Sequence, residues 1–101
     1  MDEIGFKIYL SSKQYGKKIC SDFVSRLKRL ENSISGCDLD AEYKKDKCEH
    51  LIRLLKKNGN NEQLKKVLID YLPIGSYSMS VFRYSVKKYI EFKMEKSHLL
   101  E

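Results

Sequence analysis

The sequence predicts an all-α fold, a compact bundle of four to five helices. Apolar residues recur at the spacing of an amphipathic helix along almost the whole chain, and strand-like alternation is scarce. Pro73 and four of the five glycines stand where these apolar stripes stop. A chain of 101 residues can bury one small core. We therefore expect a single helical domain over residues 1–99.

The first two predicted helices lie in the N-terminal third of the chain. A short helix is expected over about residues 2–12, and Gly16 separates it from the next. The second helix has the clearest apolar stripe, which Gly36 stops. The members of this stripe are three or four residues apart: Ile19, Phe23, Leu27, Leu30 and Ile34.

Three more helices are predicted after residue 37. Asp38 and Asp40 offer an N-cap for a third helix, from about Ala41 to Asn58. Pro73 ends a fourth helix, whose expected inward residues are Leu64, Val67, Leu68, Tyr71 and Leu72. The last helix begins between residues 76 and 80 and runs to about residue 96. Its expected stripe is Phe82, Val86, Tyr89, Ile90 and Lys93.

Composition excludes several classes of protein. No apolar run approaches the roughly 18 residues of a membrane span, and no signal-peptide pattern is present. Three widely spaced cysteines favour free thiols in a reducing, cytoplasmic compartment over a disulfide framework. The length leaves no room for a large enzyme with its own cofactor cleft. Leu100 and Glu101 are interpreted as a possible cloning scar.

Charge is the feature that points to a partner. Twenty Lys and Arg against fourteen Asp and Glu give a net charge of +6, which favours a polyanion and above all nucleic acid. The positive charge is concentrated in residues 17–30, in residues 51–66 and in the last helix. The segment 31–50 is acidic.

Two helix faces combine long cations with short hydroxyl side chains. At about 100° per residue, the side of the second helix opposite its apolar stripe holds Lys18, Ser21, Ser25 and Lys28, flanked by Lys17 and Arg29. The last helix repeats the pattern with Ser80, Arg83, Tyr84 and Lys87. Cations neutralise phosphates and hydroxyls donate hydrogen bonds to them. The alternative is that each is an ordinary solvated face.

Other constellations are weaker. Cys37, Cys48 and His50 lack the close ligand pairs of a zinc site, and Cys20 and Cys48 are expected to be buried thiols. No acid, base and nucleophile converge in sequence. We therefore expect no metal, no cofactor and no enzyme activity. Among the tyrosines, Tyr9, Tyr71 and Tyr89 are expected in the core, and Tyr77 and Tyr84 at the surface.

The order of the motifs resembles the SAM-like core-binding domain of tyrosine recombinases and phage integrases. Phe6-x-x-Tyr9-Leu10 matches the family's opening F-x-x-Y-L, and the helix from Lys18 to Glu31 follows it after a short gap. The segment Ser80–Phe92 is similar to the family's closing helix, S-x-x-x-x-x-S-A-L-x-x-Y-x-x-F. The resemblance covers most of residues 4–93. The chain departs from it at Gly16-Lys17-Lys18, at Val86 and in the acidic segment 38–49.

The resemblance implies a domain that binds double-stranded DNA during integration or recombination. Its second and last helices lie near the major groove, with contacts from the residues already named on those helices. The family's Arg, His, Arg and Tyr catalytic set belongs to a separate C-terminal domain. We therefore expect this chain to bind DNA without cutting it, either as a domain of a larger recombinase-like or restriction-type protein or as a stand-alone relative. The alternative is a helical protein–protein interaction module of a restriction or phage-related assembly.

Overall fold

A computed structural model describes the backbone of residues 1–100 and the side chains of residues 1–97. Six α-helices and one 3₁₀ turn make up this part of the chain, and its only β-pairing is an isolated bridge. The all-α prediction is confirmed. The elements are α1 (Glu3–Ser12), α2 (Lys17–Ser33), α3 (Leu39–Asp46), α4 (Glu49–Leu54), the 3₁₀ turn (Lys56–Gly59), α5 (Glu62–Val67) and α6 (Met79–Leu100).

Within residues 1–100, no helix combines the length and the apolar character that a membrane span needs. Of the two residues interpreted as a cloning scar, Leu100 ends α6, and Glu101 lies outside the described residues.

Helices α1, α2 and α6 pack together around an aromatic cluster. The ring of Phe6 on α1 lies 5.1 Å from that of Tyr89 and 5.7 Å from that of Phe92, both on α6, and 6.3 Å from that of Phe23 on α2. Edge-to-face and tilted pairs of this kind stabilise a core by about 0.5–1.5 kcal/mol each beyond their buried area. The N- and C-terminal helices are thereby held against α2, which is the central helix of the bundle.

The predicted stripe of α2 is confirmed except at its first residue. Phe23, Leu27, Leu30 and Ile34 are buried. The prediction that Ile19 is buried is wrong, because 48% of its surface is exposed. The neighbouring Cys20 is buried instead. Cys20 lies closer to the centre of the buried face, and its thiol contacts the Tyr15 carbonyl at 3.7 Å.

The prediction of one helix over residues 41–58 is wrong. Lys47 and Cys48 both adopt left-handed backbone angles, with φ of 57° and 64°, and they separate α3 from α4. A second left-handed pair, Lys57 and Asn58, lies within the 3₁₀ turn. Lys47 and Cys48 have no preference for this conformation, whereas Asn58 followed by Gly59 is a usual turn signal.

The fourth predicted helix is shorter than expected, since α5 ends at Val67. Leu68 is extended and forms an antiparallel bridge with Ile34. The Ile69 amide donates to the Ser33 carbonyl at 2.7 Å. Tyr71 is therefore not on a helical inward face, and it is 71% exposed. Leu72 is buried as predicted.

The last helix follows its prediction closely. Phe82, Val86 and Tyr89 are buried, and Ile90 packs partly buried against the same core. Lys93 lies at the edge of this stripe, where its ammonium pairs with Asp40 at 3.3 Å. With α6 in place, the stretch Ser80–Lys87 lies beside α2 and the 3₁₀ turn.

Candidate nucleic-acid interface

Four of the predicted contact residues lie on the outward face of α2 and are exposed to solvent. They are Lys17, Lys18, Ser21 and Ser25. Within residues 1–97 their side chains make no hydrogen bond or ion pair. The first turn of α2 contains no acidic residue, and Gly16 provides no capping side chain. Two lysines at this end oppose the helix dipole, so an anion bound here would be favoured.

The two cations at the other end of that face already have intramolecular partners. Lys28 pairs with Glu3 of α1, with 3.0 Å between Nζ and Oε2. Arg29 donates to the Tyr71 carbonyl at 3.3 Å. Its guanidinium also lies 5.4 Å from the ring centre of Phe82. Both side chains remain exposed.

The other three predicted contact residues line a shallow groove beside the N-terminal half of α6. It has a volume of about 380 Å³ and includes one residue of α2, Arg26. Its lining is Arg26, Ser80, Val81, Arg83, Tyr84 and Lys87. We call this the α6 groove. The structure thus brings Ser80, Arg83 and Lys87 together, whereas the predicted residues of α2 do not line the groove.

Arg26 is the residue that the sequence-based selection missed. Helical geometry places it on a flank of α2, about 80° around from Lys18. Nothing in the sequence says which flank of α2 packs beside α6, so Arg26 and other flanking residues were indistinguishable. Only the packing of α2 against α6 makes it a neighbour of Arg83 and Lys87.

Arg83 is held in place by hydrogen bonds to residues of the 3₁₀ turn and the residue before it. Its Nη1 donates to the Leu55 carbonyl at 3.0 Å and to Asn58 Oδ1 at 3.4 Å. This ties α6 to the 3₁₀ turn and leaves the remaining guanidinium N–H groups for other acceptors. Among the described residues, no carboxylate lies within 4.0 Å of the charged groups of Arg26, Arg83 or Lys87.

Tyr84 forms the aromatic wall of the α6 groove, and 51% of it is exposed. Its ring centre lies 5.8 Å from that of Phe23, with the planes tilted by 31°. The ammonium of Lys88 lies 5.7 Å from the Tyr84 ring and 5.6 Å from the Tyr15 ring. The nearby Tyr15 hydroxyl and the hydrogen-bonded Glu91 carboxylate raise the pKa of Lys88 above its ordinary value. This cation is therefore charged at neutral pH.

Several carboxylates of the acidic segment bind within the protein. Glu31 accepts a hydrogen bond from the Leu39 amide at 2.9 Å, and Asp38 caps α3 by accepting from the Asp40 amide at 3.0 Å. Asp40 accepts from the Tyr89 hydroxyl. Burial alone would raise the pKa of Asp40, but the Tyr89 hydroxyl and the Lys93 ammonium outweigh it and lower that pKa.

The cysteines form no metal centre in the part of the chain that the structure describes. No group of three or more His, Cys, Asp and Glu side chains is arranged there to hold an ion. The three thiols are free, and Cys20 and Cys48 are buried as predicted. Burial raises the pKa of Cys37 and of Cys48 to about 12, which keeps both thiols protonated and unreactive.

Comparison with known proteins gives no relative for this chain. No protein-family model matches it, and neither a curated protein nor a solved structure matches it significantly. The candidate site is therefore defined by its own geometry, which consists of the α6 groove and the adjacent exposed face of α2.

Proposed function

We propose that this domain binds double-stranded DNA through the outward face of α2 and the α6 groove. The observation that carries the proposal is the convergence of Arg26, Arg83 and Lys87 on one groove, with no carboxylate in ion-pair range among the described residues. Three like charges repel one another, and an anion bound between them offsets this repulsion. A DNA phosphate is an anion of suitable size and charge.

The hydroxyl groups of the groove support the same partner. Ser80 and Tyr84 are among its lining residues, and both can donate to a phosphate oxygen. Phosphate contacts of this type fix the position of a protein on a duplex without reading its sequence. Lys17, Lys18 and the exposed serines of α2 extend the same chemistry beyond the groove.

Several of the remaining lysines are neutralised within the protein. Lys7 pairs with Glu3 at 3.4 Å, Lys13 with Glu95 at 3.3 Å and Lys96 with Asp2 at 3.2 Å. The positive charge available to a polyanion is therefore larger on the α2 face and in the α6 groove than along α1. This asymmetry favours the α2 face and the α6 groove over α1 as the surface that binds a polyanion.

The resemblance to the core-binding domain of tyrosine recombinases belongs to the same proposal. The segments that carry it are α1 with Phe6, Tyr9 and Leu10, α2, and Ser80–Phe92 of α6. In this proposal the domain is of the SAM-like integrase type and holds DNA, and any cutting chemistry resides in another domain. The fold of residues 1–100 provides the all-α character that such a domain requires.

A protein–protein interaction module is the second candidate, and one observation favours it. Ile4 and Ile8 are one turn apart on α1 and are 75% and 66% exposed. Beside them, a groove of about 370 Å³ between α1 and α6 is lined partly by Ile8, Tyr9 and Phe92. An exposed apolar surface of this kind is typical of a docking site.

The test of DNA binding is a titration of a short fluorescent duplex at several salt concentrations. We expect the affinity to fall steeply with salt, with a log–log slope close to the number of phosphates contacted. The double variant Arg26→Glu/Lys87→Glu should bind about tenfold more weakly or worse, with a shallower slope.

The matched control is Lys7→Glu/Lys13→Glu, which changes the net charge by the same amount on α1 and the loop after it. It should bind the duplex nearly as well as the parent. A salt slope near zero for the parent contradicts DNA binding. An equal loss in both double variants contradicts the assignment of the α6 groove. Strong binding of a partner protein that Ile8→Glu abolishes, without any duplex binding, favours the second candidate.

A further inference from the structure

The α6 groove contains an aromatic ring that phosphate binding does not require. Tyr84 lines the groove with about half of its side chain open to solvent. Val81 adds an apolar side chain to the same lining. A phosphate can accept from the Tyr84 hydroxyl but does not use the face of the ring or Val81, whereas a nucleobase stacks on such a ring.

The ring of Tyr84 is held in place from inside the protein. Phe23 packs against it with 5.8 Å between ring centres, and Lys88 lies 5.7 Å from it. Lys88 is itself fixed by Glu91, with 3.1 Å between Nζ and Oε2. The open part of the ring is therefore presented to the groove in a defined orientation before any ligand arrives, which lowers the entropic cost of binding.

Cations line the same groove as this ring. Arg26, Arg83 and Lys87 line the groove together with Tyr84. Arg29 lies one turn further along α2, with its guanidinium 5.9 Å from the ring centre of the exposed Tyr71. Aromatic rings interleaved with cations are the arrangement by which proteins bind unpaired nucleotides, because bases stack while the backbone is neutralised.

We propose that the α6 groove binds an unpaired nucleotide, whose base stacks on Tyr84 while its flanking phosphates contact Arg26 and Lys87. The inference rests on the proposed DNA binding and deepens it by naming the form of DNA preferred. Bases inside a duplex are stacked on one another and cannot reach Tyr84. The preferred ligand is therefore a duplex with a single-stranded overhang.

The experiment compares three fluorescent probes with the same duplex. One is blunt, one carries a short thymidine overhang, and one carries an overhang of the same length made of abasic sites. We expect the thymidine overhang to bind about tenfold more tightly than the abasic overhang, which has the same phosphates. The Tyr84→Ala variant should lose that difference and bind the thymidine and abasic overhangs with equal affinity.

Two further variants control for folding and for nonspecific loss of an exposed tyrosine. Tyr84→Leu keeps an apolar side chain over Phe23 but provides no aromatic face, so it should lose the preference for thymidine with an unchanged thermal midpoint. Tyr77→Ala removes another exposed tyrosine, which does not line the groove, and should keep the preference.

The outcomes separate the two proposals. Equal affinity for the thymidine and abasic overhangs, together with salt-dependent binding of the blunt duplex, overturns the stacking inference alone. A Tyr84→Leu variant that keeps the full preference for thymidine also overturns it. Absence of salt-dependent binding to all three probes overturns the proposed DNA binding itself.

Discussion

The buried hydroxyl of Tyr89 on α6 donates a hydrogen bond to the carboxylate of Asp40 in α3. The same hydroxyl accepts from the Asp2 amide at 2.8 Å, just before α1. Burial and the adjacent Asp40 carboxylate raise the pKa of Tyr89 well above its ordinary value, so the hydroxyl keeps its proton. One side chain thus joins the first, third and last helices.

Replacing Tyr89 by Phe removes this junction while keeping the ring in the core. We expect Tyr89→Phe to lower the free energy of unfolding by about 1–3 kcal/mol, because a hydrogen bond to a charged group is lost and the Asp2 amide is left unpaired. Urea denaturation measures the change. Tyr84→Phe is the control, and its effect should stay within about 0.5 kcal/mol, as expected at a surface position. Equal effects of the two variants contradict the junction.

Stability should fall at acid pH partly through Asp40. Its folded pKa is lower than its ordinary value of 3.8. The stabilisation is therefore present above about pH 3.8 and is lost as the pH falls through the lower, folded value. Because Asp40 is partly exposed, solvent screening limits the contribution to about 1 kcal/mol or less.

The acid effect is measured by urea denaturation at neutral pH and below pH 3.8. Asp40→Asn should be less stable than the parent at neutral pH, and the gap should narrow in acid. Asp22→Asn is the control, since Asp22 forms no ion pair within residues 1–97. A gap for Asp40→Asn that is the same at both pH values contradicts the coupling.

Two apolar residues of α2 should respond very differently to truncation. Leu27 is fully buried, whereas Ile19 is about half exposed. We expect Leu27→Ala to cost about 2–5 kcal/mol through lost burial and the cavity that remains. Ile19→Ala should change stability by about 0.5 kcal/mol or less, since it leaves no cavity. Thermal or urea unfolding of the pair tests which face of α2 is buried.

Substitution by glycine should be tolerated better at Lys47, where α3 ends, than at Lys45, inside α3. Lys47 has a left-handed backbone where α3 ends, and its amide donates to the Tyr43 carbonyl at 2.8 Å. Lys47→Gly should stabilise the protein by roughly 0.5–1 kcal/mol, because glycine adopts this conformation without strain. Lys45→Gly, inside α3, should instead destabilise it by about 1 kcal/mol. Destabilisation by both variants contradicts the helix break at Lys47.

Periodic apolar stripes predicted the elements that dominate the core. The stripe of α2 runs over about four turns and that of α6 over about three, so a single error such as Ile19 does not change the assignment. The break at Lys47–Cys48 could not be predicted, because tertiary packing imposes left-handed angles on two residues with no local preference for them. Tyr71 was misassigned for a related reason, since the chain becomes extended at Leu68 to pair with Ile34.

The candidate site was predictable only in part. Helical spacing is sufficient to place Ser80, Arg83 and Lys87 on one side of α6, and the structure brings them together. Spacing cannot say which helices become neighbours, so Arg26 was missed. It also cannot say which cations are already engaged, as Lys28 is by Glu3. Both pieces of information come from contacts between residues far apart in sequence.

The hydrogen bonds from Arg83 to the Leu55 carbonyl and Asn58 have a consequence for specificity. A free arginine side chain samples many rotamers and can follow an anion to several positions. In the unliganded protein, the hydrogen bonds to Leu55 and Asn58 restrict the Arg83 side chain. Its remaining N–H groups therefore have fixed directions. In the proposed binding mode, a phosphate chain would therefore have to align with Arg83 in one register.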